Sequence, residues 1–98
     1  MPYVKQEVRD QLDDSIEQLA DKIVAASPND TDFAGNLNYA CTTLTMRIIK
    51  KKFGQIRYWM IALVTGTFKN VADEFYRRVA APYEDKKITE EGDVKEYK

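Results

Sequence analysis

The sequence predicts an all-α protein, a three-helix antiparallel bundle with an extended, charged C-terminal arm, and three observations carry that prediction. Apolar residues recur at intervals of three and four over most of the chain. Breaks fall at Ser27-Pro28-Asn29-Asp30, at Gly54 and at Pro82, which divides the chain into three helix-length segments. After Pro82 the composition turns charged and poor in apolar groups. With 98 residues, the chain is the size of one modest domain.

The first segment places Val8, Leu12, Ile16, Leu19 and Ile23 on one face, with acids and lysines opposite. A helix is expected over about 5–26, ended by Pro28, because proline disfavours helix at the residue before it. The second helix, about 33–52, starts after Asp30-Thr31-Asp32, where Asp32 is the candidate cap. Leu37, Cys41, Leu44 and Ile48 form its stripe. Arg47, Lys50, Lys51 and Lys52 fill its last turns and complement the helix dipole.

The third helix, about 55–81, carries Ile56, Met60, Leu63, Val71, Phe75 and Val79 on one side. Its first half adds Tyr58, Trp59, Ile61, Ala62, Val64 and Phe68 around the axis. A helix apolar on all sides requires burial on all sides, and two short partner helices do not supply it. A homo-oligomer is therefore expected, with Tyr58, Trp59, Ala62 and Gly66 at its interface. Ala62 and Gly66, one turn apart, would permit close helix approach. Residues 1–81 then form the helical domain, and residues 82–98 an arm anchored by Tyr83, Ile88, Val94 and Tyr97.

Acids and bases nearly balance, for a formal net charge of -1. That balance argues against general nucleic-acid binding, which favours a basic excess. Histidine is absent and Cys41 is the single cysteine, so the usual neutral-pH base, a cysteine zinc site and a disulfide framework are all missing. A reducing cytoplasm fits. No signal peptide is expected in the polar stretch Met1–Asp14, and the longest apolar run, Trp59–Val64, is too short for a membrane helix.

Chemistry points to binding rather than to an enzyme. Asp14, Glu17 and Asp21 share a helical face, a spacing that holds magnesium in helical nucleotide pyrophosphohydrolases, but only Asp73-Glu74 stands as a second acidic pair. A solvated acidic face paired with Arg9 and Lys22 is the simpler reading. Ser15 and Ser27 lack an activating base, and Cys41 lies on an apolar stripe. Neither a catalytic group, a metal site nor a cofactor is predicted.

Two polar clusters are candidates for a ligand. GNLNYACTTLTMR opens the second helix with Asn36, Asn38, Tyr39 and Thr43, neutral hydrogen-bonding groups suited to a base edge or ribose. Caps or water-facing side chains account for them equally well. EFYRRVAAPYEDKK brings Tyr76, Arg77, Arg78, Tyr83 and Lys86 together, with guanidinium forks for phosphate and aromatic faces for stacking. If the turn at Gly54 makes the second and third helices antiparallel neighbours, the end of the longer third helix overhangs the start of the second. The competing reading has Arg77 and Arg78 bridging to Asp30, Asp32, Glu74 or Glu84.

The segments GNLNYACTTL and EFYRRVAAPYEDKKITEEGDV, with the opening MPYV, resemble a family of small bacteriophage proteins. The resemblance covers most of the chain and implies an accessory protein acting in the cytoplasm of a bacterial host, with no reaction attached. In size, helicity and expected assembly the chain is also similar to phage anti-defence sponges, which sequester cyclic nucleotide signals of bacterial immunity, an analogy at the level of fold. The expectation is a homo-oligomer that binds a cyclic nucleotide or cyclic ADP-ribose-like signal without turnover. The alternatives are a module that blocks a host protein through its first or third helix, and a magnesium-dependent nucleotide pyrophosphohydrolase.

Overall fold

Every regular element among the described residues, 2–98 of the computed structural model, is helical. α1 spans Gln6–Ala25, α2 Asp32–Phe53 and α3 Tyr58–Phe75. A π-helical turn, Tyr76–Ala80, leads into α4, Ala81–Glu91, and a short 3-10 turn covers Lys95–Tyr97. The chain divides into two compact units, residues 2–61 and residues 62–98.

In the first unit, side chains fix the ends of α1 and α2. The Arg9 Nε donates to the Val4 carbonyl at 2.9 Å as α1 begins. At its end the Ser27 hydroxyl folds back onto the Ile23 carbonyl, just before Pro28. Asp32 is the first residue of α2, one position inside the expected cap. Its carboxylate accepts from the Asn29 backbone N–H at 3.3 Å and from the Asn29 amide at 3.2 Å, which braces the connecting turn. Gly54 ends α2 with φ 83°, and its N–H bonds the Ile49 and Lys50 carbonyls. This left-handed C-terminal position is one that glycine occupies without a steric cost.

Burial is sparse. Ile49 and Met60 are the buried apolar side chains among the described residues. Beside them the Phe53 and Trp59 rings meet edge to face, with centroids 5.3 Å apart at 89°. This geometry is favoured by the ring quadrupole. α1 and α2 pack where Leu19, Ile23 and Ala26 face Ala40 and Leu44, near the connecting turn. Val8, Leu12 and Ile16, expected to join that core, are exposed, as are Leu37 and Ile48 of α2. The periodicity marks an apolar face correctly but does not say that the chain itself holds a partner for it.

The second unit corrects the expected extended arm at 82–98. Helix continues through Pro82 as far as Glu91. A proline inside a helix lacks the N–H and crowds the carbonyl four residues back. Here the preceding turn is widened: the Ala81 N–H reaches the Tyr76 carbonyl, five residues back. Pro82 thereby falls in the first turn of α4, where an N–H is not needed. Gly92, at φ 86°, then ends α4 with its N–H on the Ile88 carbonyl at 2.8 Å. No residue of 62–98 is buried, so Phe75 and Val79, expected in the core, are exposed.

Candidate functional site

The residues expected to bind a ligand fall in both units. Asn36, Asn38, Tyr39 and Thr43 belong to residues 2–61, and Tyr76, Arg77, Arg78, Tyr83 and Lys86 to residues 62–98. Each set is described within its own unit.

On α2, positions 36, 39, 43, 47 and 50 follow three- and four-residue steps, which puts them on one helical face. Asn36, Tyr39, Thr43 and Arg47 line one wall of a groove of about 290 Å³ between α1 and α2. Leu19, Lys22 and Ile23 of α1 line the other wall. Asn36 is half-buried and partly spent on structure: its Nδ2 donates to the Ala26 carbonyl at 3.1 Å and to the Ser27 hydroxyl at 2.9 Å. Those bonds tie α2 to the end of α1 and set the groove's closed end. Tyr39 is 69% exposed and presents an open ring face. Asn38 lies off this wall, and its Oδ1 accepts from the Thr42 hydroxyl at 3.3 Å.

The cations of this face are free. Among the described residues Lys22, Arg47 and Lys50 make no ion pair. The sequence holds no acid between Phe33 and Ala72, yet it places Arg47, Lys50, Lys51, Lys52, Arg57 and Lys69 there. That acid-free run is a sequence signal for Arg47 as a groove residue, whereas Lys22, next to Asp21 in α1, carries none. Thr43 and Arg47 also border a second groove, of about 470 Å³, formed by the last turns of α2 and the turn at 54–56.

The second set is largely satisfied by neighbouring acids. The Arg77 guanidinium meets the Glu74 carboxylate at 2.8 Å. Glu90 draws Lys86 at 3.9 Å and Lys87 at 3.7 Å. Lys87 also stands 5.8 Å from the Tyr83 ring centroid. The Glu84 carboxylate accepts the Tyr76 hydroxyl and places a negative charge beside it. Both effects raise the phenol above its ordinary value of 10.0, with smaller contributions from desolvation and Asp85. Exposed pairs at this spacing are each worth only about 0.3–0.5 kcal/mol. Arg78 has no hydrogen-bond or ion-pair partner among the described residues.

The residues expected at an oligomer interface all lie on α3. Tyr58 is 83% exposed, Trp59 shares its ring edge with Phe53, Ala62 is exposed and Gly66 is half-buried. The acids of α1 do not converge: no group of three His, Cys, Asp or Glu side chains is placed to hold a metal among the described residues. No helix among them is long and apolar enough to cross a membrane.

Residues 1–94 match the family described as a domain of unknown function (DUF6899), and the chain belongs to that family. No curated protein and no solved structure matches it.

Proposed function

We propose that the protein acts by binding, without catalysis, as an oligomer of helical protomers that holds an anionic, nucleotide-type ligand along the polar face of α2. The observation that carries this reading is the wall Tyr39, Thr43 and Arg47, faced across the α1–α2 groove by Lys22. A guanidinium matches two phosphate oxygens at once, an ammonium adds charge, a phenol ring stacks on a base, and a hydroxyl serves ribose. The apolar lining residues Leu19, Ile23 and Leu44 suit the face of a heterocycle.

Arg78, Tyr83 and Lys86 are the remaining candidates for phosphate and stacking contacts. The antiparallel three-helix bundle belongs to the same proposal, completed where Tyr58, Trp59, Ala62 and Gly66 meet another copy. The resemblance to phage proteins supplies the biological reading. It is capture of a cyclic nucleotide or cyclic ADP-ribose-like immune signal in the host cytoplasm.

Thermal shift against a panel of cyclic nucleotides tests this. A ligand at a hundred times its Kd stabilises the native state by about 2.7 kcal/mol. That corresponds to a rise of roughly 10 °C or more in a domain of this size. Arg47→Ala is expected to abolish the shift. No shift with any nucleotide, and no small molecule in mass spectra of the purified protein, sinks the ligand reading.

A second reading, a module that binds and blocks another protein, is favoured by the open apolar face of α1 and by exposed Tyr58. Stable complexes with a host protein that survive Arg47→Ala are its signature.

A further inference from the structure

We propose that the second groove, at the C-terminal half of α2, receives the N-terminal half of α1 from another copy of the chain. This inference is independent of the ligand assigned above. The groove has an apolar floor of Met46, Ile49 and Ile56, and Arg47 and Lys50 stand on its rim. Its volume is about 470 Å³.

α1 has the matching form. Val8, Leu12 and Ile16 project from one side at four-residue steps and are 38%, 49% and 58% exposed. An amphipathic helix laid into an apolar groove by anchors at this spacing is a recurrent mode of recognition. The charges match at the edge of this stripe, where Asp13 and Glu17 follow Leu12 and Ile16 by one position, about 100° round the helix. α1 holds Glu7, Asp10, Asp13, Asp14, Glu17 and Asp21 against Arg9 and Lys22, and none of these acids is in an ion pair among the described residues. The groove end of α2 is its opposite: Arg47, Lys50, Lys51, Lys52 and Arg57 lie in a stretch without an acid, and among the described residues they make no ion pair. Complementary potentials of this kind select partner and register.

The chain's own α1 does not reach this groove. α1 packs on the side of α2 that carries Ala40 and Leu44. At 100° per residue, Ile49 points away from Ala40 and Leu44 and Met46 is turned well round the helix from them, so the two grooves share only Thr43 and Arg47. The occupant is therefore a second molecule, and exchange of α1 both ways gives a closed, two-fold dimer.

A charge-swap experiment on the full chain tests the proposal, with helicity by circular dichroism as the folding control. Mass is read by light scattering without ligand. The wild type is expected to be dimeric, or a multiple of a dimer, and to dissociate as salt is raised. Asp13→Lys with Glu17→Lys is expected to be monomeric, and so is Arg47→Glu with Lys50→Glu. Mixing the two variants restores a heterodimer, since the reversed α1 of one meets the reversed groove of the other while the native α1 meets the native groove.

A monomeric wild type overturns the proposal. So does either reversed variant that assembles like the wild type, or a mixture that stays monomeric. The mixture also separates exchange from an attraction within one chain, which mixing does not repair.

Discussion

Gly66→Ala reads out the proposed α3 interface through the sign of its effect. Gly66 sits in the interior of α3, its φ is not positive, and a Cβ built there meets nothing within 4 Å. Nothing inside the chain calls for glycine at this position. On helix propensity alone, alanine is better by about 0.8–1.0 kcal/mol. In a domain of this size that raises Tm by about 4–8 °C.

The oligomer reverses the expectation. If Ala62 and Gly66 let two helices touch closely, a new methyl group at the contact costs about 1–3 kcal/mol of overpacking. The net change is then a loss of up to roughly 2 kcal/mol, expressed as weaker association. The assay is thermal melting by circular dichroism at two protein concentrations, with mass by light scattering. Gly35→Ala is the control: Gly35 lies within α2, its Cβ also meets open space, and no interface is assigned to it. A Tm that rises for Gly66→Ala as it does for Gly35→Ala, independent of concentration and with unchanged mass, refutes close packing at Gly66.

Two further predictions concern the backbone and a phenol. Gly54→Ala forces a side chain into φ 83°, where space is open but L-residues are disfavoured by about 1–2 kcal/mol, so a lower denaturation midpoint with unchanged m-value is expected. An unchanged midpoint contradicts the left-handed end of α2. Tyr76, whose pKa is raised, contributes its Glu84 bond fully below pH 10 and loses it as pH rises through the folded value. Subtracting the ultraviolet titration of Tyr76→Phe from that of the wild type isolates this phenol. Its midpoint is expected above 10, and Glu84→Gln is expected to lower it; a midpoint that Glu84→Gln leaves in place removes the assigned cause.

Helices were legible because their apolar residues repeat with the helical period, and the stop at Gly54 because glycine there relieves a left-handed turn. The passage of helix through Pro82 was not legible. A proline reads as a terminator, and only a widened turn at Tyr76–Ala80 removes the clash that makes it one. Tyr39 and Thr43 were legible as hydrogen-bonding and stacking groups, whereas the use of Asn36 as a tether depends on where Ala26 and Ser27 end up. Arg47 was visible as a charge. Its place on a groove wall follows from which face of α2 meets α1, and helical period alone does not specify that face.

The sequence by itself determined the helical class, the approximate segments and the separation of an acidic first helix from an acid-free cationic run. These depend on neighbours three or four residues apart, which the chain carries locally. Tertiary structure decided which apolar faces are covered and which charges are paired. Ile23 is half-buried beside α2 while Leu12 and Ile16 stay exposed, and Arg77 meets Glu74 while Arg47 and Lys50 meet no acid. Those outcomes turn on contacts between helices and on the rotation of each about its axis, and a repeating pattern is silent on both.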